Sequence, residues 1–195
     1  MSAALPPALI WIDGVGGFLV LRSDTVTLGP AFAEPAPDVP IFADISRDHA
    51  TIHRDGEGYW LRSERALAVN LAPAKRALLQ SGDRITLGAS CQLQFRKAEP
   101  LCASAGLTLV SGHRFGHPVD AALLMADALI LDRSPHAHIQ ADLPQRVVIF
   151  RQGSEFGLKA ASSIRAAGQA AGKRAILKPG VPTTVEDVTI TVELC

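Results

Sequence analysis

Cys91-Gln92-Leu93-Gln94-Phe95-Arg96 alternates apolar with polar residues, and Val188-Thr189-Ile190-Thr191-Val192-Glu193-Leu194 does the same near the far end of the chain. A period of two buries one face of a strand and wets the other, whereas a helix repeats its apolar positions every three or four residues. Outward from these stretches, short β-prone runs recur at Ala8–Ile12, Phe18–Leu21, Thr25–Leu28, Ala50–His53, Tyr59–Arg62 and Ile85–Leu87. Turn formers separate them: Asp13-Gly14, Ser23-Asp24, Asp55-Gly56 and Ser81-Gly82-Asp83. Short strands at this spacing indicate an all-β sandwich or barrel. Asp120–Leu131, rich in Ala and Leu, is the main place where a helix can be argued. Strand, turn at Ala126-Asp127 and strand is the preferred reading, because the stretch lies opposite Phe18–Leu28 in the repeat described next.

The chain repeats itself. Ala43-Asp44-Ile45 is answered by Ala141-Asp142-Leu143, and Ile52-His53-Arg54-Asp55-Gly56 by Ile149-Phe150-Arg151-Gln152-Gly153. Lys75-Arg76-Ala77-Leu78-Leu79 is answered by Lys173-Arg174-Ala175-Ile176-Leu177, Gly82 by Gly180 and Thr86 by Thr184. Paired positions differ by 97 or 98 throughout, and each half closes on one alternating strand. A repeat of that length is a whole domain, not a solenoid unit. The expected organisation is therefore two tandem antiparallel β-sandwiches, residues 5–98 and 104–195. The joint at Ala98-Glu99-Pro100 is too short to be a long tether, so the halves should meet through an apolar interface. Pro30–Pro40 reads as a Pro/Ala-rich loop within the first half.

Of the 195 residues, 48% are hydrophobic and 19% charged, enough apolar material for packed cores and unlike a disordered chain. Nineteen basic residues balance nineteen acidic ones, so no global charge favours nucleic acid or an anionic membrane. The start, MSAALPPALIWID, has neither the basic nor the apolar segment of a signal peptide, and no stretch is long and apolar enough to span a bilayer. Cys91, Cys102 and Cys195 stand at no metal-ligand spacing and read as reduced thiols, which suits a cytoplasmic location.

The first half carries Ile45-Ser46-Arg47-Asp48-His49-Ala50-Thr51-Ile52 running into a strand. Some thirty residues later comes Leu79-Gln80-Ser81-Gly82-Asp83-Arg84-Ile85-Thr86-Leu87-Gly88, ahead of the closing strand. In this order and spacing the two segments resemble the forkhead-associated (FHA) domain, whose core runs Gly-Arg, Ser-Arg-x-His, Asn-Gly-Thr, then Leu-x-x-Gly-Asp-x-Ile-x-Leu-Gly. The resemblance implies a β-sandwich that holds phosphothreonine peptides on the loops at one end and does no catalysis. A phosphate near −2 charge suits Arg, hydroxyl and backbone donors held on rigid loops.

The resemblance assigns roles residue by residue. Ser46 matches the serine that grips the phosphate, and Arg47 the supporting cation. His49 is the structural histidine of the motif, Gly29 the glycine of the first turn, and Gly82 with Asp83 the later Gly-Asp. The Gly-Arg turn reads Gly29-Pro30 here and the Asn-Gly-Thr turn reads Arg65-Ala66-Leu67, so the main phosphate arginine and the peptide-holding asparagine are both absent. Arg65 or Arg22 could restore the charge, and Asn70 matches the family's second asparagine. The second half keeps Arg133 of its turn Asp132-Arg133, but its motif slot reads Pro144-Gln145-Arg146-Val147. This worn tandem resembles FHA proteins of planctomycete-type bacteria. It implies a signalling or scaffold module with weak or lost phosphothreonine binding, a protein or phosphopeptide partner, a Ser/Thr kinase pathway and no cofactor.

Other chemistry has weaker support in the sequence. Ser46 and His49 with Asp44 or Asp48 could suggest a hydrolase triad, but no nucleophile elbow or oxyanion loop accompanies them. His113 with His117, and His136 with His138, invite a metal site, yet the first pair brackets Gly116 and precedes Pro118, which is poor helix. Gly14-Val15-Gly16-Gly17 lacks the Lys-Ser/Thr and helix of a phosphate loop and reads as a hairpin turn. Trp11 and Trp60 read as core or sheet-covering aromatics.

Overall fold

The structure is a computed structural model describing residues 6–98 and 102–195; Leu5, the N-terminal stretch before it, and Glu99 and Pro100 of the joint lie outside them. No described residue is helical. The first repeat supplies β1 (Ala8–Ile12), β2 (Gly16–Leu21), β3 (Thr25–Pro30), β4 (Val39–Phe42), β5 (Ala50–Arg54), β6 (Tyr59–Arg62), β7 (Leu67–Val69), β8 (Ala72–Pro73), β9 (Arg76–Leu79), β10 (Arg84–Leu87) and β11 (Cys91–Lys97). The second supplies β12 (Ala105–Leu109), β13 (Arg114–Phe115), β14 (Ala121–Leu124), β15 (Ala128–Asp132), β16 (Ile139–Gln140), β17 (Val147–Gln152), β18 (Glu155–Ala166), β19 (Gln169–Leu177), β20 (Thr183–Val185) and β21 (Val188–Leu194).

Two apolar cores result, and neither is made from one half of the sequence. The alternating strand β11 pairs with β12, Phe95 opposite Leu107, and β14 lies beyond β12. The other alternating strand, β21, pairs with β1, Val192 opposite Ile10, and β2 lies beyond β1. Leu107, Ala122, Leu124 and Phe115 therefore sit in the core built on Leu28, Ile52, Leu61 and Phe95. Ile10, Ile12, Phe18 and Val20 sit in the core built on Leu129, Ile149, Leu158 and Ile190. The repeats exchange their leading hairpins. A short connection between β11 and β12 sets these strands side by side, antiparallel, with Lys97 opposite Ala105. That placement fills the edge beside β11, and the equivalent hairpin β1–β2 takes the matching edge of β21.

Where the exchanged hairpins meet, β2 and β14 pair in parallel, Phe18 with Ala121 through Leu21 with Leu124. Leu19 and Leu21 face one core while Phe18 and Val20 face the other; Ala122 and Leu124 face the first while Ala121 and Leu123 face the second. Burial on both faces explains why these strands read as continuous apolar runs without alternation. It also settles Asp120–Leu131 as strand, turn and strand. The Asp120 carboxylate ties the hairpins together by accepting from Gly17 N–H at 2.9 Å. The halves thus meet by sharing strands, a closer union than an interface between finished domains.

The repeats differ where β6 and β7 leave room for a loop. In the first repeat, β6 pairs with β5 and β9 in the six-stranded sheet; the chain then crosses Ser63–Ala66 to β7, which pairs with β10 in the other sheet. In the second, the twelve-residue strand β18 spans both roles, pairing with β17 and β19 and then, past a register shift, with β20. The second repeat therefore has no counterpart of the Ser63–Ala66 loop.

Candidate functional site

The loop Ile45–His49 enters β5 at the same end of the first sandwich from which Ser63–Ala66 leaves β6. His49 is 2% exposed and joins the two. Its Nδ1 accepts from Ser46 N–H at 3.0 Å, so the ring proton sits on Nε2, which donates to Ala66 O at 2.9 Å. Gly88 N–H also donates to Ala66 O, at 2.9 Å. Ser63, likewise buried, donates its hydroxyl to His49 O and accepts from Arg65 N–H at 2.9 Å. Asp48 takes a left-handed φ of 43° to turn the chain. Gly29 makes room for that turn: a Cβ there would lie 3.3 Å from Asp48 N and 3.4 Å from the Pro37 ring.

These two tied loops border an open depression of about 430 Å³, lined by Arg47, Asp48, Arg62, Glu64 and Arg65 above the buried His49. Ser46 heads the first loop, half-buried, and among the described residues its hydroxyl has no partner. Arg47, Arg62 and Arg65 are exposed and lack a carboxylate partner among the described residues, while Glu64 lies 4.0 Å from Lys75. The chemistry offered is a hydroxyl and three guanidinium groups on a braced rim, an arrangement suited to an oxyanion.

The structure brings Arg47, His49 and Arg65 together, with Ser46 beside them. Asn70 is elsewhere, in the β7–β8 turn, donating to Asp83 Oδ1 at 2.7 Å and accepting from Arg84 N–H at 2.9 Å. Asp83 in turn accepts from Gln80 N–H at 2.7 Å, and Gly82 makes the bend with a φ of 97°. These three form one turn brace. Pro30 is buried in β3 against Ile41 and brings no charge to the rim. Arg133 is engaged by Asp142 in an ion pair. Arg22 lies far from the depression in the second core, 3% exposed, over the Phe156 ring at 4.5 Å and donating to Pro6 O and Ser154 O. Burial, and then the nearby Arg151, lower its pKa.

Arg62 and Ser63 also belong to the site, and no motif marks them in the sequence. The signal for Ser63 was available: it stands at an inward position after Tyr59 and Leu61, where a small hydroxyl must find a partner. For Arg62 there was none, because an outward arginine on a strand is usually only solvated.

Residues 27–88, from within β3 to just past β10, match the family model of the FHA domain. No curated protein matches the chain. The solved structure described as "Rv0020c_FHA Structure" is similar to it at 27% identity, over 45% of this chain and 89% of that one, with a TM-score of 0.30. The matched segment contains Ser46, Arg47, His49, Arg65 and the Gly82-Asp83 turn.

Proposed function

We propose that this chain is a non-catalytic protein-interaction module whose first sandwich reads phosphothreonine peptides with reduced affinity. The supporting observation is the rim on which Ser46, Arg47 and Arg65 are braced by His49 and Ser63, within the segment that matches the FHA model. Arg65, and Arg62 beside it, would stand in for the arginine that Pro30 replaces. Loss of one charge-assisted contact weakens binding by about 1.5–3 kcal/mol, and no asparagine replaces the peptide-holding one. The second repeat, without a Ser63–Ala66 counterpart, would serve as the structural partner that completes the first. The proposed setting is a bacterial cytoplasm with a Ser/Thr kinase, in the manner of the planctomycete-type tandem proteins.

The buried Pro30 favours a second reading, a phospho-independent scaffold. One comparison separates the two: a threonine peptide, phosphorylated and unphosphorylated, titrated against wild type and Ser46→Ala. A reader prefers the phosphorylated form by about tenfold or more, roughly 1.4 kcal/mol, and loses that preference in the variant. Equal binding of both forms, unchanged by Ser46→Ala, leaves the scaffold.

A further inference from the structure

The most faithful part of the repeat, Lys75-Arg76-Ala77-Leu78-Leu79 against Lys173-Arg174-Ala175-Ile176-Leu177, has no role in the depression. In β9 and β19 its inward residues, Leu79 and Leu177, enter the two cores, so Arg76 and Arg174 point outward. Directly across from Arg76 on β6 is Arg62, and directly across from Arg174 on β18 is Lys159. Both are outward as well, since Leu61 and Leu158 face the cores. Each sandwich thus sets two cations opposite one another on its outer face, about 5 Å apart at Cβ, an arrangement that weakens a sheet.

All four side chains are exposed and have no carboxylate partner among the described residues. Each pair has one guanidinium held at an aromatic ring, Arg76 over Trp60 at 3.8 Å and Arg174 over Phe150 at 5.3 Å. The aromatic comes from β6 in one sandwich and β17 in the other, so the ring contact has been reached by different residues. The Ser46 motif, by contrast, appears once.

We infer that the outer faces of the two sandwiches are equivalent docking surfaces, each taking an extended acidic polypeptide segment whose carboxylates bridge the opposed cations. A carboxylate between two such groups relieves their repulsion, and a stacked guanidinium is already oriented to donate. The faces are open, so one isolated ion would gain little. An extended segment with acidic residues at alternate positions matches the period of the strands beneath it. Nucleic acid fits less well, because the rings are already covered by arginine and the chain has no net positive charge. In the first sandwich this face shares Arg62 with the phosphothreonine rim, whereas the face of the second sandwich, Lys159 with Arg174, is independent of that reading.

The test uses a twelve-residue peptide of alternating Glu and Thr, its Gln–Thr counterpart and a twelve-nucleotide oligothymidylate, titrated calorimetrically against the full chain at low salt. Two Glu–Thr peptides bind per chain, the Gln–Thr peptide binds at least tenfold more weakly, and added salt weakens the complex. Arg62→Gln with Arg76→Gln removes one site, Lys159→Gln with Arg174→Gln removes the other, and Ser46→Ala removes neither. Should Arg76→Gln or Arg174→Gln disturb packing on its ring, Lys159→Gln alone, which touches no ring and lies apart from the phosphothreonine rim, still has to weaken one site at least fivefold. Equal binding of the Gln–Thr peptide, a stoichiometry unmoved by the glutamine variants, or tighter binding of the oligothymidylate overturns the inference.

Discussion

Cutting the chain between Ala98 and Cys102, through an inserted protease site, gives two fragments that remain locked together. In the structure the hairpin of residues 105–124 completes the first core and that of residues 8–21 completes the second. Seven large side chains are thereby buried in the core built mainly by the other fragment: Leu107, Phe115 and Leu124 in one direction, Ile10, Ile12, Phe18 and Val20 in the other. At about 1.5–3 kcal/mol each, their burial contributes roughly 10–20 kcal/mol before strand hydrogen bonds are counted. Bringing two chains together costs about 4–15 kcal/mol. The strand pairings β11–β12, β1–β21 and β2–β14 all cross the cut as well. Release would require opening both cores together. The assay is size-exclusion chromatography after complete cleavage, in buffer and then in denaturant. The cut protein should elute in buffer at the volume of the uncut chain and separate only in denaturant. Two smaller folded species appearing in buffer would refute the exchange and restore sandwiches of contiguous sequence.

Leu107→Ala, a truncation at a fully buried site, should destabilise by about 3 kcal/mol in urea denaturation and loosen amide exchange in β5, β6 and β11 at least as much as in β17; protection lost only from β17 and β20 would contradict the core assignment. His49→Ala leaves Ser46 N–H without its acceptor and should lower stability by about 1–3 kcal/mol; a change under roughly 0.5 kcal/mol would mean that the two loops are braced by something else. Burial pushes the Cys91 thiol up to about 11, so at pH 8 only about 0.1% of it is thiolate. Burial and then Glu193 also raise the Cys195 thiol, but it is exposed, so it should react with a thiol reagent in the folded protein and Cys91 only on unfolding; equal rates at these two would be inconsistent with the packing of β11.

Much of the candidate site could be read from the chain. Ser46, Arg47 and His49 lie within eight consecutive residues, and a loop that closes on its own histidine needs little help from elsewhere. Asn70 shows the limit of such reading. A matching amide can serve a ligand or a turn, and here Asp83 and Arg84 N–H have taken it. Arg62 and Ser63 became part of the site only because β6 ends where the His49 loop begins.

The amino-acid sequence determined the strands and their equivalence. Period two marked β11 and β21 because each has one face in a core, and the constant offset matched residues 5–98 with 104–195 as two like halves. It could not say which core either hairpin enters. Two hairpins of like pattern fit two like edges, so local preference does not choose between them. The tertiary structure decided it, by setting β12 beside β11 and leaving β21 to β1. The same arrangement buried β2 and β14 on both faces, which is why they carry no alternation and why Asp120–Leu131 also allowed a helical reading.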